Sequence, residues 1–232
     1  MKIHAKTALL DQGWAQNVRV TCVDSKIASI EISVTPEPTD QLVDVLLPSI
    51  GNLHSHTFQR AMAGMTEFRA AGRESFWTWR DLMYRFLGHL SPEHYEAIAA
   101  LVFMEMQEAG YASVGEFHYV HHQPDGTPYG ALPELSDRVF SAAMQTGIGL
   151  THLPVLYTYG GAGAQPLSGG QRRFGNSLAN YADILQGCRN AATDSAFDTK
   201  VGIAPHSLRA ISPEVLDDVL SLAHDGPTHI HI

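Results

Sequence analysis

Apolar and polar positions along the chain change rhythm near residue 43. Residues 17–23 (NVRVTCV) alternate and are rich in Val and Thr, Asp24–Lys26 supplies a turn, and residues 27–34 (IASIEISV) alternate again. That pattern predicts a β-hairpin. Pro36 and Pro38 interrupt it, so residues 1–46 read as a small β unit. Val43–Leu47 is then a short apolar run leading through Pro48 into GNLHSH, which reads as the first strand of a second region, 47–232.

Helical spacing begins further on. Tyr95, Ile98, Ala99, Val102, Phe103 and Met106 recur at the helical period, with Ser91 suited to the N-cap, Pro92 to the first turn and Gly110 to the stop. Residues 113–119 predict a strand, 131–146 a helix and 149–156 a strand, followed by a Gly-rich loop to about Gly175. Asn176 is the expected cap of a helix reaching Ala192. Lys200–Ala204 reads as a strand, Ser212–Pro213–Glu214 as the start of a helix ending near His224, and the final THIHI as a strand. Five strands after residue 43, separated by helical or long connections, predict βαβ units with a parallel sheet. A closed (β/α)8 barrel needs eight strands, so the expectation is an α/β fold of barrel type that is partial here.

Composition narrows the function. Of 232 residues, 24 are Asp or Glu and 15 are Lys or Arg, a net charge of −9 with no basic block. Nucleic-acid binding needs clustered cations, so it is not expected. The longest clean apolar run, Ala97–Met104, is far below the roughly 20 residues that span a bilayer, and the N-terminus lacks a signal-type apolar core. Cys22 and Cys188 are the only cysteines, so no disulfide framework is expected and a cytoplasmic location is the default. The anomaly is histidine, with 13 residues, several in tight clusters.

His54-Ser55-His56 follows a short apolar strand. Residues i and i+2 of a strand share a side, so two imidazoles at this spacing can grip one divalent metal. Taken alone, the pair fits polar loop histidines equally well. His229-Ile230-His231 repeats the pattern at the last predicted strand. A chance pair at a frayed end is the plainer account, but Ile alternating with His suits a buried strand with one functional face. His206-Ser207-Leu208-Arg209 lies at another predicted strand end, where Arg209 offers a fork for a carboxylate or is an ordinary surface residue. LSGGQ at 167–171 matches the signature peptide of ABC-type ATPases, but the chain has no GxxxxGK[ST] loop. The run Gly160–Gly175 reads more simply as a flexible loop of the kind that forms a lid. Phe76, Trp77, Trp79 and Phe86 read as packing residues, with Arg80 among them either a substrate clamp or stacked on an aromatic ring. Alternation sets Glu116 and His118 apart from Tyr119, and His121 and His122 are expected to face solvent.

The string LPSIGNLHSHTFQRAMAGM resembles the amidohydrolase superfamily. FWTWRDLMY, GEFHYVHH, THLPVLYTYGG, GQRRF, APHSLRAI and HIHI extend the resemblance over nearly the whole chain and narrow it to the formimidoylglutamate deiminases of histidine breakdown. Pro48-Ser49 departs from the usual Pro-Gly before the first His pair. The resemblance implies a (β/α)8 barrel joined to a small β-sandwich, of which 1–46 is the N-terminal part. It implies one divalent metal, zinc by preference with iron or nickel allowed, held by His54, His56 and a strand-five histidine. The family pattern His-x-x-Glu favours His231 over His229, because Ile232 stands three residues after His229. It maps substrate contacts onto Gln59, Arg80, Tyr119, His206 and Arg209, with a small dicarboxylate as substrate and a homodimer as an allowed assembly. The family's strand-five acid, strand-six His and strand-eight Asp would fall beyond Ile232, so this chain alone is expected to be inactive. Two other readings stand beside deimination: a deaminase of a heterocycle such as guanine or cytosine, and a non-catalytic fragment.

Overall fold

The computed structural model describes residues 1–65, 76–195, 198–223 and 225–232, with the backbone alone at 76–78. The chain divides into two compact units, Met1–Ile50 and Gly51–Ile232.

The first unit is one mixed four-stranded sheet in the order β3-β2-β1-β4. Its strands are β1 (Lys2–Leu10), β2 (Gly13–Val23), β3 (Lys26–Glu31) and β4 (Gln41–Leu46). The β2–β3 hairpin is present, with Asp24 and Ser25 at positive φ in its turn. Two corrections follow. Lys2–Leu10, not read as a strand, pairs antiparallel with β2 and parallel with β4. The apolar run at Val43–Leu47 does not open the second region, because Val43 and Val45 pair with Ala5 and Thr7. Periodicity shows that a segment is extended, but its partner is chosen by hydrogen bonds to residues far away in sequence. Ala5, Ala8, Val18 and Val20 form this unit's small core. Beside it the buried Arg19 forks onto Asp40, whose carboxyl is held below its usual value by that hydrogen bond.

The second unit carries a sheet in the order β5-β6-β7-β8, with β9 also pairing with β7. These strands are β5 (Ile50–Ser55), β6 (Tyr111–His118), β7 (Gly149–Leu156), β8 (Thr199–Val201) and β9 (Ala204–Pro205). The β6–β7, β7–β8 and β7–β9 pairs are parallel. The helices are α1 (Phe76–Leu87), α2 (Pro92–Glu108), α3 (Glu134–Thr146), α4 (Leu178–Thr193) and α5 (Pro213–Ser221). This is the predicted β/α alternation. It buries one large core between strands and helices, to which α2 gives Tyr95, Ala99 and Phe103 without exposure. Gly115 lets β6 approach β5: a Cβ there would stand 2.9 Å from the Leu53 carbonyl oxygen.

Boundaries shift where side chains have better uses. Ser91 caps α2 as expected, accepting from the His94 N–H. Helix α4 is capped by Ser177, not Asn176, because the buried Asn176 side chain is spent on His122 and the Phe174 carbonyl. The strand predicted at Lys200–Ala204 is broken into β8 and β9 around Gly202. Helix α5 stops at Ser221, and His224 lies outside the described residues. The final THIHI makes isolated bridges, Thr228 to Ile203 and His231 to Ser207, rather than a ladder.

The Gly-rich segment is anchored. LSGGQ forms a capped 3-10 turn over Gly169–Arg173, with Gln171 donating to the Gly160 carbonyl at 2.8 Å. Buried Arg173 donates to the carbonyls of His122, Leu90 and Leu87 and to the Tyr129 hydroxyl. Arg173→Leu would strand these buried acceptors and is expected to cost about 3 kcal/mol or more, read by urea unfolding of full-length protein. An unchanged midpoint would show that the segment is held by other contacts. Among the described residues no helix is long and apolar enough to cross a membrane.

Candidate metal centre and its cavity

Strand β5 delivers His54 and His56 to the same side, as their i, i+2 spacing requires. The tail from Thr228 runs beside β9, with His229 N–H donating to the Ile203 carbonyl and His231 N–H to the His206 carbonyl. These backbone bonds bring His231 onto β5's pair. His54 Nε2 lies 3.2 Å from His56 Nε2 and 3.2 Å from His231 Nε2. Ligand nitrogens held 2.0–2.1 Å from a tetrahedral zinc stand about 3.3 Å apart, so the spacing suits a shared cation. His54, His56 and His231 form the set of three potential donors among the described residues, their nitrogens all within 4.8 Å. His229 stands outside that set, its Nε2 3.0 Å from His54 Nδ1.

The protonation states fit the same use. His56 Nδ1 donates to the Phe117 carbonyl at 2.9 Å, which leaves its Nε2 lone pair facing the cluster. Burial pushes His56 down to about 3, against the opposing pull of that carbonyl. Burial and then His54 push His231 down to about 4. Burial and then His229 lower His54. Neutral imidazoles are what a metal requires. The donor set therefore fits a divalent metal.

Phe117 is the floor of the cluster. Its ring lies 4.2 Å from that of His231, 5.3 Å from His54 and 5.5 Å from His56, and it is fully buried. Sequence reasoning passed over it. The available signal was alternation, which puts Phe117 and Tyr119 on one face of β6 and Glu116 and His118 on the other.

A cavity of about 320 Å³ opens beside the cluster. Its lining includes seven of the eight residues singled out from sequence: His56, Gln59, Arg80, Tyr119, His206, Arg209 and His231. His54, the eighth, stands behind them in the histidine set. Gln59 Nε2 donates to the Tyr119 hydroxyl at 2.7 Å, linking the turn after β5 to the end of β6. Burial, and after it His231 and Arg209, push His206 down to about 3, and its ring meets that of Tyr157 edge-on with centres 4.4 Å apart. The Arg80 guanidinium lies 5.6 Å from the Tyr84 ring centre, so it both stacks on an aromatic and borders the cavity. Trp79 and Phe86 pack partly buried against the core, while the side chains of Phe76 and Trp77 lie outside the described residues.

His121 and His122 are a correction. Both are buried, donating to the Val155 and Gly175 carbonyls respectively. With His118 and His152 they form a second histidine group on the helix-facing side of the sheet. Ring centres of His118 lie 5.3 Å from His121 and 5.0 Å from His152.

Residues 1–44 match the family described as "Formimidoylglutamate deiminase HutF, N-terminal domain", and residues 45–232 match "Amidohydrolase family". A formimidoylglutamate deiminase of Pseudomonas aeruginosa is 48% identical over 99% of this chain and 51% of its own length. The chain thus spans about half the length of the curated relative it matches. Among solved structures, an amidohydrolase from Brucella melitensis superposes with a TM-score of 0.95 at 46% identity, over 100% of this chain and 51% of that one. An atrazine chlorohydrolase variant from Arthrobacter aurescens, complexed with zinc and atraton, gives 0.78 at 17% identity over 100% and 52%, which shows the shared fold. The amidohydrolase match covers most of the sequence and every residue of the histidine set and its cavity, so the chain belongs to the amidohydrolase family.

Proposed function

We propose that the whole protein to which this chain corresponds is a metal-dependent deiminase converting N-formimidoyl-L-glutamate to N-formyl-L-glutamate and ammonia. The observation that carries this is a cavity where a three-imidazole cluster borders two guanidiniums, Arg80 and Arg209, with no acidic side chain among the described residues of its lining. A dicarboxylate brings two negative charges, and each guanidinium can take one in a bidentate fork. Close similarity to a formimidoylglutamate deiminase supports the same substrate.

The chain's residues divide the work. His54, His56 and His231 would hold the divalent metal, zinc by preference, since imidazole suits it. When bound, that metal supplies Lewis-acid activation of water at neutral pH. Arg80 and Arg209 bind the carboxylates. Gln59 and Tyr119, already bonded to one another, orient the polar atoms between them. His206, kept neutral, offers one further donor or acceptor beside His231. Trp79, Met83 and Phe174 wall the cavity and exclude water from the substrate's apolar stem. Two free cysteines and no disulfide accord with a cytoplasmic setting.

The test is ammonia release by full-length protein from N-formimidoyl-L-glutamate, guanine and cytosine in parallel. Only the dicarboxylate is expected to turn over. Arg209→Ala is expected to raise KM and lower kcat/KM by about 10²-fold, the scale of a lost charged pair. Preferred turnover of guanine or cytosine would replace this reading with a heterocycle deaminase, and an inert full-length protein would favour a non-catalytic role.

A further inference from the structure

Glu116 is a fully buried carboxylate on β6 that the chemistry above does not use. It points to the helix side of the sheet, away from Phe117 and the cavity. Its Oε1 accepts from the Thr57 backbone N–H at 2.9 Å and from the Thr57 hydroxyl at 2.9 Å. Thr57 is the residue after His56 in sequence, so the carboxyl grips the chain immediately beside that imidazole through both a backbone and a side-chain donor. The next residue on β6 accepts His56 Nδ1–H through the Phe117 backbone carbonyl. Residues 116 and 117 therefore fix His56 both through its backbone and through its ring. Burying a carboxyl costs several kcal/mol unless hydrogen bonds offset it, and an apolar residue would fill this interior site without that cost.

We propose that Glu116 is a positioning residue for the histidine cluster: by holding Thr57 through two hydrogen bonds it fixes where β5 ends and the following turn begins, and so where His54 and His56 present their nitrogens. This rests on the metal reading above and adds a residue to it. Supporting bonds of this kind tune metal affinity by about 10- to 100-fold without touching the metal. Thr57 is buried and followed by buried Phe58, so the junction held by Glu116 is enclosed in the interior.

The test loads full-length wild type, Glu116→Gln, Glu116→Leu and Thr57→Val with cobalt(II). The readouts are cobalt affinity by chelator competition and the visible absorption spectrum, neither of which needs substrate. Glu116→Gln keeps an acceptor oxygen and is expected to stay within about threefold of wild type. Glu116→Leu keeps the bulk but not the acceptor, and is expected to weaken cobalt about 10- to 100-fold with an altered spectrum. Thr57→Val removes one donor and is expected to show a smaller change of the same sign, which decides the matter if the Leu variant does not fold. Wild-type affinity and spectrum in the Leu and Val variants would overturn the positioning role while leaving the metal reading intact. Equal damage in the Gln and Leu variants would overturn the acceptor geometry argued here. Failure of wild type to bind cobalt would overturn the metal reading and this role with it.

Discussion

His56→Ala in full-length protein is expected to lose most of its bound metal and at least about 10³-fold in kcat/KM. Of the three cluster histidines, His56 is the one whose tautomer the structure fixes most firmly, through the Phe117 carbonyl at 2.9 Å. Its Nε2 is presented as a lone pair 3.2 Å from that of His54. Removing it leaves His54 and His231, and two imidazoles hold a divalent ion far more weakly than three. The fold should survive, because His56 is not fully buried and the neighbouring Thr57 keeps its bonds to Glu116. Metal content by mass spectrometry, initial rates of ammonia release and a melting curve check the three parts separately. Metal content and turnover equal to wild type would exclude His56 from the centre.

The second large effect concerns acid stability. His118, His121 and His152 are buried on the helix side of the sheet, and burial is the leading cause that lowers all three. His121 and His152 are pushed down to about 3. Their unfolded value is near 6.5. Above that pH both states are neutral and the stability is fully present. Below it the unfolded chain takes up protons that the folded chain refuses, so stability falls until the pH reaches about 3. Each such histidine costs about 1.4 kcal/mol per pH unit in that window. Glu116 acts in the opposite sense. Burial raises it to about 7, against the hydrogen bonds from Thr57. Between its unfolded value near 4.3 and that point, the folded state binds the extra proton and gains stability as the pH falls. His121 and His152 against Glu116 leave a net loss of about 1.4 kcal/mol per pH unit between 6.5 and 4.5, and His118 and the lowered histidines of the cavity, His56, His206 and His231, add to it in the same direction. That is a large part of the 5–15 kcal/mol typical of a folded domain. Urea unfolding of full-length protein at pH 7, 6 and 5 measures it. His152→Leu, which removes an imidazole with no protein partner for either nitrogen among the described residues, is expected to flatten the slope by about one proton. A midpoint independent of pH would mean that these histidines protonate in place.

Much of this layout is legible in the residues themselves. The spacing of His54 and His56 fixes that they share a side, because a strand alternates whatever its partners. Ser91-Pro92 fixes the start of α2, because a cap and a first-turn proline act within a few residues. The family resemblance groups Gln59, Arg80, Tyr119, His206 and Arg209 as substrate contacts, and these five line one cavity.

What the sequence could not decide is what depends on distant partners. Lys2–Leu10 is a central strand because β2 and β4 pair with its two edges, a fact of hydrogen bonding across the sheet. The run from Val43 left the second region for the same reason. His121 and His122 are polar and adjacent, so composition sends them to solvent; the carbonyls of Val155 and Gly175 make burial tolerable instead. LSGGQ reads as a flexible loop because glycine permits freedom, but Arg173 finds four acceptors that remove it. Local periodicity determines which face a side chain takes. Only tertiary contact determines what lies on that face, and that is why Phe117 beneath the cluster and Glu116 behind it came from the structure alone.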